Sequence, residues 1–467
     1  MNKFRIANLV AISILPLFFA QANWKTDVEK EMSLGNFNNA EVIINGLSHD
    51  IQVKDKYEID SIRAVIKRIR YDFSIEPWDG IKEIINIRPG TTTNEISDWI
   101  NSNYIEVMTI DGSEKWFRKT LRNLWLLNPT LQTNTASKNI QMYRELINSA
   151  SKMTKDKNQC GNWHRARVKY ELDVDADAVP AGKEVRVWLP IPHESQRQKN
   201  IKVISSSHEY IKSTGSPHST LSLCAIAQQG IPTHFEVIME YDVAAQTFTE
   251  DYLLNNIKPY NKESELYKQY TQTDNRHIVV NDKMRNLAIK IIGSEENPVL
   301  QASQIYNWIV NKFPWAGARD YGTIENIPEY VLNQGHGDCG QVALLYISLL
   351  RSIGIPARWE SGWMLHPWNL GWHDWAETYF EGIGWVPTDV SLGRNNDDKI
   401  KSYYKTGTDI YRFATNIDYG KPLSPKKKYF RTEPIDFQAG EVEWENGNIE
   451  ATQFDSNLTV LEFKPIK

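Results

Sequence analysis

The sequence predicts an α+β protein of several domains, and three changes of pattern along the chain support this class. Residues 24 to 155 show helical spacing, as in the apolar positions of 59–69, which fall on one face of a helix. Residues 160 to 250 alternate apolar and polar side chains in short stretches bounded by proline and glycine, which is typical of a β-sandwich. Residues 281 to 395 mix helical and strand patterns. The predicted divisions are a signal peptide (1–22), a helical domain (23–158), a β-sandwich domain (159–250), a linker (251–280), a mixed core (281–395) and a C-terminal extension with a β-hairpin (396–467).

Length and composition describe a folded protein with an ordinary surface. The chain has 467 residues, of which 41% are hydrophobic and 24% are charged, close to the globular average. Its formal net charge of −5 gives no sign of the clustered positive charge that nucleic-acid binders need, so we expect no nucleic-acid partner. The sixteen tryptophans are unusual, because eight of them fall between residues 308 and 385, around a cysteine at 339. Aromatic walls around a thiol predict that a binding site lies in this window.

The amino terminus has the three parts of a secretory signal. Lys3 and Arg5 precede an apolar run at 6–20, and residues 20–22 form a small-x-small cleavage pattern, Ala-Gln-Ala. A membrane anchor is the alternative, but the run is shorter than the roughly 20 apolar residues that span a bilayer. We therefore expect cleavage after Ala22, a secreted or periplasmic protein, and no stable membrane insertion after cleavage.

Export leads to an oxidising compartment, in which paired cysteines can form disulfides. The chain has three cysteines, an odd number, so at least one thiol stays free. Cys160 and Cys224 flank the β-rich segment, and they either pair or remain as two unpaired core cysteines. In both cases Cys339 is the candidate free thiol.

The histidines of the β-rich segment do not form a metal-binding pattern. His193, His208, His218 and His234 have no cysteine or carboxylate at metal-ligand spacing, so we expect them to be surface or hydrogen-bonded histidines. A calcium-binding loop of acidic residues is also missing from the sequence. The sequence therefore predicts no metal and no cofactor.

A cysteine opens a predicted buried helix in the mixed core. Asp338 precedes Cys339, and apolar side chains then recur with helical spacing from Val342 to Ile353, before Gly354 ends the helix. The positive end of the helix dipole favours a thiolate at Cys339 and lowers its pKa, whereas the adjacent Asp338 acts against this. A structural cysteine at the start of a core helix is the alternative.

A predicted hairpin after this helix carries a histidine and an aspartate. The segments 373–380 and 385–390 are predicted strands joined by a glycine-containing turn. A nucleophilic thiol needs a base to take its proton, and the base needs an acceptor that fixes its tautomer. Cys339, His373 and Asp389 therefore form a candidate catalytic set.

The pairing of these two strands decides whether His373 can reach Asp389. If Phe380 paired with Trp385, the aspartate would point to the other face of the sheet. Pairing Phe380 with Gly384 across a three-residue loop puts Asp389 one diagonal step from His373 on the same face. We predict this second register, or a bulge equivalent to it.

In combination these segments resemble the bacterial transglutaminase-like superfamily. The resemblance rests on Gly337-Asp338-Cys339-Gly340 at the helix start, 351–358 at its end, and 373–375 and 384–389 in the hairpin. It covers residues 280–395, about a quarter of the chain. It implies a papain-like fold for the core, with Cys339 as the nucleophile, His373 as the base and Asp389 as the acid that orients the histidine.

The resemblance and the residues together predict an enzyme that transfers an acyl group from an amide through a thioester on Cys339. Water as the acceptor would make the protein a cysteine protease or amidase, which we favour, and an amine would make it a transglutaminase. The expected substrate is a peptide or protein, free or linked to the cell wall or a glycan. An inert module that binds peptide or carbohydrate in a Trp-lined groove is the alternative from another class.

Other side chains compete for roles at this site. His366 is a second candidate base, but it is expected in a Pro- and Trp-containing loop without a paired carboxylate. The backbone N–H of Cys339 is the expected oxyanion donor, with Trp315 or Gln334 as a candidate side-chain donor. The tail from residue 396 shows no catalytic grouping. The expected cleft walls are Trp363, Trp368, Trp372, Trp375 and Trp385.

Overall fold

The computed structural model of the protein describes residues 24–47, 53–128, 131, 141–148, 160–213, 219–274, 276–420 and 422–466. The predicted signal peptide at 1–22 lies outside these residues. Helices and strands are both abundant, which confirms the predicted α+β class. No helix within the described ranges is long and apolar enough to cross a membrane.

The amino-terminal part is helical and contains one small hairpin. Its elements are α1 (Trp24–Ser33), α2 (Phe37–Asn45), α3 (Val53–Asp72), α4 (Pro77–Ile87), α5 (Thr93–Asn101), β1 (Val107–Ile110), β2 (Ser113–Trp116), α6 (Thr120–Leu127) and a helical segment at 141–148, α7. The apolar face predicted for α3 packs inward, because Ile59, Ile66 and Ile69 are buried in one cluster with Val28 and Phe73. The hairpin of β1 and β2 was not predicted, since strands of four residues are too short to show a clear alternation.

A β-sandwich follows, in agreement with the alternating pattern. Its first six strands are β3 (Gly161–Val174), β4 (Glu184–Pro190), β5 (Gln198–Ser206), β6 (Tyr210–Ser213), β7 (Thr220–Ile226) and β8 (Thr233–Thr247). In β3 the alternate residues Ala166, Val168, Tyr170 and Leu172 are fully buried, as expected for a strand with one face on a core. Strands β3, β5 and β8 belong to one sheet, and β4, β6 and β7 belong to the other.

The core combines helices with a four-stranded sheet. Its elements are α8 (Glu250–Asn256), α9 (Glu265–Tyr270), α10 (Asp282–Ile292), α11 (Pro298–Lys312), α12 (Ile327–Gln334), α13 (Cys339–Ser352), β9 (Ala357–His366), β10 (Asn369–Phe380), β11 (Gly384–Thr388), α14 (Asp398–Lys405), β12 (Gly407–Thr408) and β13 (Arg412–Ile417). The sheet has the order β11-β10-β9-β13, while β12 pairs with β8 of the sandwich. Helix α13 lies at the centre, since every residue from Gly340 to Ser352 is buried.

The carboxyl-terminal strands complete the sandwich. They are β14 (Glu441–Trp444), β15 (Gly447–Ile449) and β16 (Phe454–Pro465). Both strands predicted in the tail are present, but they enter opposite sheets, because β14 pairs with β4 and β16 pairs with β3. The sandwich therefore draws on the tail as well as on residues 159–250. Pairing across more than 200 residues leaves no local trace in the sequence.

The segment before His373 differs from the prediction. The expected loop containing His366 is a second hairpin, in which β9 pairs with β10 and His366 is paired with Asn369. Nearly every residue of β9 is buried, because α13 packs on one face of the sheet and the sandwich packs on the other. A strand that is buried on both faces lacks the polar and apolar alternation by which strands are recognised.

The predicted hairpin register is confirmed. Phe380 pairs with Gly384, and the strands run on through the pair Ala376 and Thr388. The loop of three residues contains Gly382, which has a positive φ of 84° that favours glycine. The register follows from this loop, since its odd length sets which residues of the two strands oppose each other.

A buried ion cluster fastens the sandwich to the core sheet. Arg197, which precedes β5, donates to Glu377 at 2.7 Å and to both oxygens of Glu360 at 2.7 and 2.6 Å. Arg358 binds the other oxygen of Glu377 at 2.7 Å. Arg197 is 7% exposed and the two glutamates are almost fully buried, so their charges depend on these partners rather than on water.

Replacing Arg197 by alanine is expected to destabilise the protein strongly. The variant leaves Glu360 without its cation in a buried position, which costs about 3–5 kcal/mol of unfolding free energy. Urea unfolding followed by tryptophan fluorescence measures the loss. Arg186→Ala is the control, because its pair with Glu184 is half-exposed and is worth at most about 1 kcal/mol. Equal losses in the two variants would contradict the assignment.

Candidate active site

Cys339 occupies the first position of α13, as predicted. Asp338 is the N-cap: its Oδ1 accepts the backbone N–H of Gln341 at 3.0 Å, and the side chain of Gln341 accepts the N–H of Asp338 at 3.2 Å. The predicted end of the helix near Gly354 is also confirmed, since the helix ends at Ser352 and Gly354 has a φ of 82°. This capping box sets where the helix starts and therefore fixes the position of the thiol.

The thiol of Cys339 is partly buried and has an acidic partner. It donates to Oδ2 of Asp374 at 3.4 Å, and Oδ1 of Asp374 accepts Nε2 of Gln438 at 2.7 Å. Burial raises the pKa of Cys339 well above its ordinary value, and the carboxyl groups of Asp374 and Asp338 raise it further. The expected lowering of this pKa by the helix dipole is therefore wrong. Burial is the largest cause of the raised pKa, and the two neighbouring carboxyl groups act in the same direction.

His373 and Asp389 lie together, as the register requires. Nε2 of His373 and Oδ2 of Asp389 are 2.7 Å apart, and Arg412 donates to the same oxygen at 3.0 Å. Burial acts to raise the pKa of Asp389, but the charges of His373 and Arg412 lower it to about 2. Asp389 is therefore ionised across the neutral range. An ionised acceptor on Nε2 leaves Nδ1 of His373 as the nitrogen that can exchange a proton.

The three residues of the predicted catalytic set do not all contact one another in this structure. Successive side chains of a strand point to opposite faces, so His373 and Asp374 of β10 diverge. In the described part of the chain, a hydrogen bond joins His373 to Asp389 and another joins Cys339 to Asp374, and none joins Cys339 to His373. The structure thus pairs two of the three predicted residues and gives the thiol a partner that sequence reasoning missed.

A cavity of about 480 Å³ opens at the thiol. Its walls include Trp315, Tyr321 and Trp372 together with Cys339 and Asp374. Of the predicted cleft walls, only Trp372 lines this cavity, and it is 52% exposed. Trp363 and Trp375 are buried in the core instead, because the strands that carry them are covered on both faces. Trp315, a candidate side-chain donor to the oxyanion and one of the eight clustered tryptophans, also lines the cavity.

His366 has a carboxylate partner, contrary to expectation. Its Nε2 lies 3.3 Å from Oδ2 of Asp409, and its ring stacks on Trp368 at 4.9 Å. Burial lowers the pKa of His366, and the charge of Asp409 opposes this. Arg412 bridges the two histidine pairs, since the nitrogen that binds Asp389 also binds Asp409 at 3.2 Å. Arg412 therefore links the pair of His366 and Asp409 to the pair of His373 and Asp389.

His336 and Gln334 lie close to the thiol in sequence but have other surroundings. Nε2 of His336 contacts the backbone carbonyl of Asn103 at 3.1 Å. Burial lowers its pKa to about 4, so it is neutral at ordinary pH. Gln334 is the last residue of α12, and its buried Oε1 has no hydrogen-bond partner among the described residues.

Several residues at the site come from the tail, where the sequence showed no chemistry. Gln438 and Asp436 line the cavity, and Arg412 lies in β13. Arg394, which lies directly before the tail, donates to the carbonyl of Gly337 at 2.6 Å and lies near the thiol. No local signal marks these residues, because polar side chains in an irregular tail look like an ordinary solvated loop.

One group outside the cavity has the composition of a metal site. Glu171, His234 and Glu236 have ligand atoms within 4.8 Å of one another on β3 and β8. Lys169 contacts Glu171 at 2.7 Å and Glu236 at 3.8 Å, and Asp173 contacts His234 at 2.7 Å. These ion pairs account for the group.

All three cysteines are free, including Cys160 and Cys224.

Replacing the carboxyl group of Asp374 is expected to make the thiol more reactive. Asp374→Asn keeps the shape of the side chain but removes an acid, 3.4 Å from the sulfur, that raises the pKa of Cys339, so this pKa falls. A fall of about one unit makes alkylation by iodoacetamide about tenfold faster at neutral pH. Alkylation of Cys339 against pH, read by peptide mass spectrometry, measures this. The exposed Asp173→Asn is the control, and an unshifted profile in Asp374→Asn would refute the assignment.

The family comparison agrees with the motifs. The model of the transglutaminase-like superfamily matches residues 285–390. An uncharacterized protein of Haemophilus influenzae is 24% identical over 267 residues, which cover 49% of this chain and 70% of the relative. The uncharacterized protein YebA of Bacillus subtilis is 25% identical over 157 residues, which cover 29% of this chain and 21% of YebA.

Two solved structures are similar in part. A candidate cysteine protease of Cytophaga hutchinsonii is 16% identical with a TM-score of 0.42, and the match covers 66% of this chain and 95% of that one. The periplasmic domain of TgpA from Pseudomonas aeruginosa is 13% identical with a TM-score of 0.27, covering 52% and 93%. The family match confirms the resemblance predicted from the motifs: residues 285–390 of this chain match the transglutaminase-like superfamily.

Proposed function

We propose that this protein is a cysteine hydrolase that cleaves an amide bond of a peptide or protein through a thioester on Cys339. The observation that carries the proposal is the pair of His373 and Asp389, 2.7 Å apart, on a hairpin beside the helix that presents the thiol. A buried imidazole with an ionised acceptor on one nitrogen is the usual partner of a nucleophilic thiol.

The reaction begins with a change of partner at the thiol. Cys339 gives up its contact with Asp374 and transfers its proton to Nδ1 of His373, while Asp389 stabilises the imidazolium that forms. Sγ then bonds to the carbonyl carbon of the substrate. The negative charge that develops on the carbonyl oxygen faces the N–H groups at the start of α13, which have no partners within the helix.

Collapse of this intermediate breaks the C–N bond. His373 returns the proton to the leaving amine, and a thioester remains on Cys339. His373 then removes a proton from water, which attacks the thioester and frees the acid and the thiol. Transfer to an amine instead of water would make the protein a transglutaminase. We favour hydrolysis, because an amine acceptor must compete with the water that fills an open cavity.

Single substitutions are expected to separate the roles of the two histidines. Cys339→Ala abolishes turnover, and His373→Ala lowers kcat by about 10²–10⁴-fold because the general base is lost. His366→Ala is the matched control, since this histidine is equally buried but binds Asp409 rather than Asp389. Digestion of a peptide library measures the rates. A larger loss in His366→Ala than in His373→Ala would reverse the assignment of the base.

The same variants distinguish the alternatives. Incorporation of a labelled amine into protein that disappears in Cys339→Ala would indicate a transglutaminase. Binding of peptide or carbohydrate that is unchanged in Cys339→Ala, without turnover by the wild type, would indicate an inert binding module. The thioester is detected as a mass increase on Cys339 that hydroxylamine removes.

The leader sequence supports export, so we place the enzyme in the periplasm or outside the cell. The expected mature protein begins at Asn23, after cleavage behind Ala22. Mass spectrometry of the protein recovered from its native compartment tests this. Recovery of the chain with residues 1–22 still attached in the membrane fraction would instead indicate an anchor.

A further inference from the structure

Asp374 is held in a fixed position beside the nucleophile. Its side chain is 3% exposed, Oδ1 accepts from Gln438, and Oδ2 faces Sγ of Cys339 at 3.4 Å. Gln438 also donates to the backbone carbonyl of His373 at 3.1 Å, which ties the amide to the same strand. The carboxyl group therefore cannot rotate away without losing a buried hydrogen bond.

This carboxyl group has no cation. In the part of the chain that the structure describes, no lysine or arginine ion-pairs with Asp374, whose two contacts are Gln438 and the thiol. Two of the basic side chains that line the cavity already have carboxylate partners: Arg118 pairs with Asp72 at 2.9 Å and Arg68 pairs with Glu450 at 3.0 Å. A buried carboxyl group without a counter-ion is costly to ionise, and a bound cation removes that cost.

The position of the carboxyl group matches an amine next to the attacked carbonyl. Within one amino-acid residue, the nitrogen and the carbonyl carbon are about 2.5 Å apart. When that carbon is bonded to Sγ of Cys339, the nitrogen of the same residue comes within reach of Oδ2 of Asp374, which lies 3.4 Å from the sulfur. A free ammonium group there forms a charge-assisted hydrogen bond, whereas an acylated nitrogen supplies no charge.

The cavity also provides space for the side chain of that residue. Trp315 and Trp372 form an apolar wall beside the thiol, and the volume of about 480 Å³ exceeds what a single side chain needs. Asp436 lines the same cavity. The apolar wall favours a residue with an apolar side chain.

We propose that Asp374 is a specificity-determining residue that binds the free α-ammonium group of the residue whose carbonyl Cys339 attacks, so that the enzyme removes residues from the amino terminus of peptides. This inference rests on the proposed function. In the reaction, Sγ bonds to the carbonyl carbon of the first residue and the C–N bond to the second residue breaks. His373 supplies the proton to the leaving amine, and water then releases the first residue as a free amino acid.

Two fluorogenic substrates test the proposal by turnover. L-leucine 7-amido-4-methylcoumarin and its N-acetyl form differ only in the charge on the α-nitrogen. The wild type is expected to prefer the free amine by about 10- to 100-fold in kcat/KM, the value of a hydrogen bond to a charged group. Asp374→Asn reduces this preference to about threefold or less. Equal turnover of both substrates by the wild type would overturn the proposal.

A matched variant controls for loss of negative charge in general. Glu450→Gln removes another carboxylate from the cavity wall, one that is already paired with Arg68. It is expected to keep the preference of the wild type. A loss of preference in Glu450→Gln as large as in Asp374→Asn would mean that the overall field, and not Asp374, selects the amine.

A binding test makes the proposal independent of catalysis. L-leucinamide is expected to slow the alkylation of Cys339 by iodoacetamide in the wild type, while N-acetyl-L-leucinamide at the same concentration does not. Asp374→Asn loses the difference. Protection by the free amine without turnover of any substrate supports the inference and refutes the proposed hydrolysis. Equal protection by both amides overturns the inference, even if the enzyme proves to be a hydrolase.

Discussion

The arrangement of the site depends on the guanidinium of Arg412. It binds Asp389 at 3.0 Å and Asp409 at 3.2 Å, and each of these carboxylates holds one buried histidine. The group is 4% exposed and stacks over Trp375, with 4.9 Å from its carbon to the ring centre. One cation thus compensates two carboxylates that water cannot reach. Together with His373, this cation holds the pKa of Asp389 down to about 2 against the effect of burial.

The second constraint is the alternation of side chains between the two faces of strand β10. His373 and Asp374 are neighbours in the chain, but they point to opposite faces of the sheet and meet different surroundings. On one face, His373 stacks on Trp375 and binds Asp389. On the other, Asp374 meets Cys339 at the start of α13. The strand therefore holds His373 and Asp374 on opposite faces of the sheet, and in this structure the thiol contacts Asp374.

Elements with a local cause were predictable. The capping box at Asp338, the helix behind Cys339 and the hairpin register all follow from residues that are close in the sequence. The β9 strand was missed because both of its faces are covered. Its sequence therefore lacks the alternation of polar and apolar side chains by which strands are recognised. The pKa of Cys339 was predicted in the wrong direction because burial of the thiol, and after it the carboxyl group of Asp374, raise this pKa, and neither can be read from the local sequence.

The sequence by itself determined the local placement of the candidate residues, because a thiol at a helix start and a histidine and aspartate on one face of a hairpin are set by local spacing. Only the tertiary structure decided which groups surround that thiol. Gln438 and Arg412 reach the site from a tail that shows no pattern, across 65 residues from His373 and 23 from Asp389. Such contacts arise when the sandwich and the core sheet pack together, and burial, rather than spacing, then sets the charge of each group.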